Sequence, residues 1–313
     1  MPGEVSPLQT NRGGTVTWAG VHWLTGTTAR PPGEVVEVVR RHLHGLHFEE
    51  FEWGRWRYTK HAREAVSGAM VLWGNATADT AVNLPGEACE LLGQAQLLDL
   101  VRELGLKLTR LDLAWDTDTL TPQTVQAAWA AGSAVTHSKW HDWRSNPDGA
   151  TFYVGKRGSD PDVRLVRVYD RRGPTRVELE AHGKRAQLLW ATLADLDLEH
   201  WSQAGLSYLV DFVDFRDRTA DENVGRCPRL SWWEDFCEGA RRLYLPIPRT
   251  APTLESQERW LEDGVAATLS VVAEAHGDMY GYVRALVKRG QAKQSAKHRA
   301  LLDATSAVRQ ALA

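Results

Sequence analysis

Cysteine is scarce in this chain: Cys89, Cys227 and Cys237 are the only three among 313 residues. Three scattered thiols exclude a disulfide framework and a cysteine-rich zinc site, and they suit a reducing compartment. Long apolar runs are missing too, because charged residues interrupt every hydrophobic stretch short of the roughly 20 residues that span a bilayer. The opening segment MPGEVSPLQTNRGG has no basic-then-apolar leader pattern. These absences set the expectation of a cytoplasmic protein with no membrane partner. Tyrosine is sparse, with 7 residues against 14 tryptophans, so any chemistry that needs a phenol has few candidates. Nor does one sign of charge prevail, since 37 Lys+Arg stand against 40 Asp+Glu. With 43% apolar and 25% charged residues, disorder and collagen-like structure are excluded, and the length suits one large or two ordinary domains.

What is present is alternation. Residues 15–23 alternate as a strand, Pro31-Pro32-Gly33 stops the chain, and Val35, Val36, Val38, Val39, Leu43 and Leu46 form a helical stripe. Short strands are expected at 55–61, 68–74 and 79–84, then a helix after Pro85-Gly86, a strand over 108–116 and a helix over 122–131. The pattern restarts with strands at 136–143, 150–155, 163–170 and 175–181 and a helix from 184. The expected fold class is α+β, a twisted, mostly antiparallel sheet built from a possible duplication of a strand-rich unit, with a helical C-terminal region. The expected boundaries are a flexible tail over 1–14, an α+β domain over 15–190, a helical region over 191–280 and a basic tail over 281–313. That last tail holds seven Lys/Arg against Asp303 alone.

Strand parity singles out a candidate site. In 110–116, Arg110, Asp112, Ala114 and Asp116 share one face, and in 176–180 Arg176, Glu178 and Glu180 do the same. If the two strands are neighbours, their acidic faces converge into an oxygen-rich site suited to Mg²⁺ or Mn²⁺; the alternative is a solvated face whose acids pair with Arg110 and Arg176. Between them lies a run whose parity groups Arg167, Tyr169 and Arg171, an arrangement expected to favour the phenolate and to hold a phosphate beside it. Tyr153 sits one strand earlier. Residues 150–190 carry nine Lys/Arg against five Asp/Glu, a local excess that suits an anionic polymer.

Five segments, read together, resemble a known family: Asn83–Leu92, Thr109–Asp116, Tyr153–Ser159, Arg167–Arg171 and Arg176–Glu180, followed by Trp232-Trp233-Glu234-Asp235-Phe236. Their order and spacing are similar to the replication initiation factor family, the rolling-circle plasmid initiators and the related relaxases of conjugative elements, over roughly residues 15–275. The resemblance implies an origin-specific DNA nicking and rejoining enzyme working through a 5′-phosphotyrosyl link. By motif it makes Tyr169 the nucleophile with Tyr153 as fallback, Asp112, Asp116, Glu178 and Glu180 the ligands of Mg²⁺ or Mn²⁺, and residues 15–190 the catalytic and DNA-binding domain. Arg110, Lys156, Arg157, Arg167, Arg171 and Arg176 are the expected DNA contacts. Arg171 stands where the family usually has lysine; it keeps the charge and can grip phosphate bidentately. The implied partners are origin DNA, duplex and single-stranded, and a helicase; monomer and homodimer stay open.

Two rival readings remain: a non-catalytic DNA-binding regulator on the same fold, and a His-hydrophobe-His nuclease. For the latter, His42-Leu43-His44 has the right spelling but falls in a helical stretch, where residues two apart diverge. Trp53 and Trp56 beside Arg55 and Arg57, and Trp140 and Trp143 beside Lys139 and Arg144, have the texture of single-strand stacking surfaces or, equally, of hairpin packing.

Overall fold

The computed structural model describes residues 16–156, 162–171, 173–224, 226–247, 254–295, 298, 299 and 302. Strand β1 (Val16–Thr28) ends where Pro31 and Pro32 follow, since proline cannot donate to a ladder. Pro32 instead opens helix α1 (Pro32–His42), which buries Val35, Val38 and Val39. Four short strands then run back and forth, β2 (Phe48–Phe51), β3 (Lys60–Glu64), β4 (Met70–Trp73) and β5 (Thr80–Leu84), and α2 (Gly86–Leu104) follows. The plan then repeats. Strand β6 (Lys107–Thr117) leads to α3 (Pro122–Ala130), the short β7 (Ala134–Thr136), the strands β8 (His141–Asn146), β9 (Gly149–Val154), β10 (Arg164–Asp170) and β11 (Thr175–His182), and then α4 (Gly183–Ala194).

Ten of these strands form one antiparallel sheet in the order β2-β3-β4-β5-β1-β6-β11-β10-β9-β8. In each half a long first strand is followed by a helix, then by a four-strand meander whose last strand returns beside the first. The two halves join where β1 pairs with β6. The duplication suggested by the strand count is thus plain in the topology. After α4 come α5 (Trp201–Phe212), β12 (Val213–Phe215), which pairs with β7, and α6 (Ser231–Cys237). The chain divides into a unit ending at Ile247 and a second unit, Pro248–Ala313. The second holds α7 (Leu254–Trp260), a π-turn over Leu261–Val265, α8 (Ala266–Ala275) and α9 (Met279–Gln291), the last carrying Arg284, Lys288 and Arg289 of the basic segment. Among the described residues no helix is long and apolar enough to cross a membrane.

Alternation sorts the sheet into two faces. Leu24, Leu111, Leu113, Trp115, Val166, Val168, Val177 and Leu179 enter one hydrophobic core with Val35, Leu97, Leu189 and Leu209 of the helices. The opposite face carries the polar members of the same strands. One irregularity shapes it: β5 pairs with β1 only over Leu24–Thr28, so the rest of β1 lacks a neighbour there and the start of α2 lies against it. A Cβ on Gly86 would stand 2.6 Å from His22 Nε2, so only glycine fits at that approach. The helix bends at Gly93, whose φ of 68° no helical turn accommodates.

Two expected strands are placed differently. The run 55–61 is largely a loop, because the chain reverses in a tight turn at Arg55–Tyr58 between β2 and β3. The run 136–143 breaks in two at Ser138, whose backbone N–H donates to Thr136 Oγ1 and whose hydroxyl donates to the Trp140 carbonyl.

Candidate active site

Register places the acidic strands side by side. In the β6–β11 ladder Glu180 faces Asp112, Glu178 faces Ala114 and Arg176 faces Asp116; in the β10–β11 ladder Arg167 faces Glu178 and Tyr169 faces Arg176. Asp112, Glu178 and Glu180 are all buried. Arg110 gathers two of them, donating from Nε to Asp112 Oδ1 at 2.9 Å and from Nη2 to Asp112 Oδ2 at 2.5 Å and Glu180 Oε2 at 2.9 Å. Its guanidinium also lies 4.6 Å from the Trp23 ring centre. His182 Nε2 meets Glu180 Oε1 at 2.6 Å, so Glu180 is occupied on both oxygens. Arg167 donates to Glu178 and lies 3.5 Å from Asp112 Oδ2.

Electrostatics separates Asp112 and Glu178, which share a hydrogen bond. Burial pushes the Asp112 carboxyl well above its usual range, with Arg110 opposing and the charge of Glu178 adding to the rise. Burial would raise Glu178 too, but the imidazole of His22, the Arg167 guanidinium and the bond with Asp112 outweigh it and hold Glu178 low. The two carboxyls are thereby pushed in opposite directions. His22 Nδ1 is 3.4 Å from Glu178 Oε1, too poorly aligned for a hydrogen bond, and is buried without another hydrogen-bond partner. This histidine was not among the expected site residues. It sits at a bulge in β1, between the pairs Val21–Leu113 and Trp23–Asp112, and its one sequence signal is a titratable side chain amid apolar strand residues.

Tyr169 completes the cluster: its Oη donates to Glu178 Oε2 at 3.1 Å. The phenolate expected from flanking arginines is corrected here. Burial, and then the charge of Glu178, push the Tyr169 phenol up to about 12 despite Arg176 and Arg167. Tyr153 shares the face, opposite Arg167, but its ring packs 5.1 Å from the Arg144 guanidinium.

Asp116 lies apart from the other acids. Arg176 holds it bidentately, with Nε 2.6 Å from Oδ1 and Nη2 2.7 Å from Oδ2, and Arg171 reaches it at 3.4 Å. Arg176, expected as a DNA contact, is buried here, its side chain only 1% exposed and stacked 4.6 Å from the Trp18 ring centre. Arg110 and Arg167 are bound to carboxylates, Lys156 is exposed, and Arg157 lies outside the described residues. His42 and His44 form no pair: His42 Nε2 meets Glu103 at 2.9 Å at the end of α1, and His44 turns away at φ 56°. Among the described residues no three His, Cys, Asp or Glu side chains converge round a point as a ready metal cage. The donor chemistry nonetheless fits a divalent cation. An imidazole nitrogen without a hydrogen-bond partner, 3.4 Å from Glu178 and next to the carboxylate pair, is what such an ion satisfies.

Residues 106–287 match the family model for replication initiation factor. The chain belongs to the replication initiation factor family. The match includes Asp112, Glu178 and both candidate tyrosines, and begins after His22, Trp18 and the rest of the first half of the sheet. The fold of this family member is similar to a solved structure described as the rolling circle replication initiator protein from Geobacillus stearothermophilus. The two are 22% identical, with a TM-score of 0.58 over 72% of this chain and 97% of that one. No curated protein sequence matches the chain.

Proposed function

We propose that this family member is a metal-assisted tyrosine DNA strand transferase that nicks one strand at its origin and so starts rolling-circle replication or transfer. The observation that carries the reading is the contact of Tyr169 Oη with Glu178 Oε2 at 3.1 Å, where Glu178 and Asp112 are buried and Arg167 and His22 flank them half-buried. Tyr169 Oη, oriented by its bond to Glu178, attacks the scissile phosphorus while its proton passes to solvent, because Glu178 is held too low to act as the base. The bond from phosphorus to O3′ breaks, the leaving 3′ oxygen takes a proton from water, and the 5′ phosphate stays on the tyrosine. Conserving the phosphoester bond lets the 3′-OH attack later and rejoin the strand. Before DNA arrives, a phenol raised to about 12 keeps the nucleophile neutral at physiological pH. Arg171, 42% exposed and 3.4 Å from Asp116, would grip the phosphate. His22, Asp112 and Glu178 would hold Mg²⁺ or Mn²⁺, which when bound draws charge from the scissile phosphate.

A second reading, a DNA-binding regulator without chemistry, is favoured by one observation: Arg110 and Arg167 already neutralise the carboxylates. Supercoiled DNA containing the sequence that flanks the chain's own gene, incubated with the protein and Mn²⁺ or Mg²⁺, separates the two. Nicked circles and a protein–DNA adduct on a denaturing gel are expected, both abolished by EDTA and restored by Mn²⁺; no adduct from the wild type leaves the regulator.

His22 gives a sharper check on the cation. His22→Ala is expected to weaken Mn²⁺ binding about 10–100-fold, as loss of one supporting ligand does, measured by titration calorimetry in the absence of DNA. An unchanged affinity removes His22 from the metal site.

A further inference from the structure

The loop between β2 and β3 has the shape of a built feature. Backbone N–H of Arg55 donates to the Tyr58 carbonyl at 2.9 Å and Tyr58 N–H donates to the Arg55 carbonyl at 3.1 Å, closing a four-residue turn. Gly54 permits it, since a Cβ there would meet Tyr58 O at 2.7 Å. Trp56 takes φ of 55° in this turn, a conformation that hairpin tips ordinarily give to Gly, Asn or Asp. A bulky ring kept in that position at the tip points to a use for the side chain. Trp56 is 60% exposed and Trp53 57%.

The surroundings say what such rings can meet. Trp53 packs edge-on against His61 at 4.6 Å, and His61 stacks on Phe51 at 4.9 Å, so the exposed indole is braced from behind. Arg55 lies over the Trp56 ring at 5.8 Å and, among the described residues, has no acidic partner. Two of the nearby acids are paired elsewhere: Glu52 with Lys60 at 2.6 Å and Asp79 with Arg57 at 2.9 Å. The loop therefore presents flat aromatics and a spare guanidinium.

Its place in the sheet supplies the direction. Residues paired in register share a face, and the line Asp112–Trp23, Thr25–Asn83, Asn83–Met70, Leu72–His61, His61–Phe51 runs from the active site to the braced indole on one face. From β6 to β2 there are five strand steps, roughly 24 Å at the usual spacing. That span is a few nucleotides of extended single strand.

We propose that Trp53 and Trp56, with Arg55, form a base-stacking site for unpaired DNA on the same sheet face as Tyr169, some nucleotides from the scissile phosphate. The idea rests on the DNA-processing reading above, yet its test does not need catalysis. Anisotropy of a labelled oligothymidylate 30-mer and of a 30-base-pair duplex would be measured with full-length wild type, W53A/W56A and W53F/W56F, each also in the Y169F background. Stacking predicts a loss of about tenfold or more in single-strand affinity for the alanine variant, substantial retention by the phenylalanine variant, and duplex affinity within about twofold. Unchanged single-strand binding overturns the proposal, as does an equal loss on both DNAs. A wild-type dimer that the alanine variant dissolves in sedimentation would also overturn it, because the rings would then be covered by a second copy. If wild type forms no adduct while the anisotropy pattern holds, the enzyme reading falls and the stacking site stands.

Discussion

Tyr169→Phe is expected to give a folded, DNA-binding protein that forms no covalent adduct and nicks at least about 1,000-fold more slowly. Losing a nucleophile commonly removes most of an enzyme's rate, and Oη is the only atom the substitution deletes. The structural cost is small. Glu178 keeps Arg167 and Asp112 when the 3.1 Å bond from Tyr169 is lost, so no buried anion is stranded, and a single hydrogen bond contributes about 1 kcal/mol. Tyr153→Phe is the paired control, expected to nick within about threefold of wild type because its ring lies against Arg144 and its oxygen bonds to none of the buried acids. Adduct on a denaturing gel and peptide mapping of the modified residue read both variants. Adduct retained by Tyr169→Phe moves the nucleophile to Tyr153.

The faces of the site were legible in the sequence because a strand has a period of two. Asp112 with Asp116, Glu178 with Glu180, and Arg167 with Tyr169 could be grouped without knowing the sheet, and β10, β11 and β6 are indeed neighbours. Alternation does not say which partner a charge will choose. Asp116 and Arg176 meet because the register sets them opposite one another, a fact of pairing rather than pattern. Arg176 reads like any exposed strand arginine, and nothing in the alternation shows that the Trp18 ring and Glu90 of α2 lie against it. The direction of the Tyr169 shift is hidden in the sequence for a related reason. Two arginines could be counted from the sequence, whereas the burial that outranks them could not. His22 belongs to a bulge, which breaks the parity on which the whole reading relied. The repeated half is visible only as a restart of strands, since the two five-strand halves share topology while their side chains serve different ends.

Asp116→Ala is expected to destabilise the fold by about 3–5 kcal/mol, because it leaves the Arg176 guanidinium buried and without its counter-ion. Arg176 is 1% exposed, both its bonded nitrogens go to Asp116, and its Nη1 already lacks a hydrogen-bond partner, with Glu90 3.8 Å away. No solvent stands ready to take over. Replacing both partners changes the balance: Asp116→Leu with Arg176→Met removes the charge and its counter-charge together, and methionine can lie on the Trp18 ring where the guanidinium now sits. The double variant should therefore be more stable than either single one, a coupling of at least about 2 kcal/mol in a urea-unfolding cycle. Asp112→Asn tests the same logic from the other side. Burial and Glu178 push that carboxyl above its usual range, so the neutral amide should cost less stability than Asp116→Ala while nicking is lost. Two aspartates four residues apart on one strand would then separate cleanly, Asp116 failing in stability and Asp112 in chemistry. If Asp116→Ala unfolds at the wild-type urea concentration, the buried pair is not what holds β6 to β11 at this end of the site.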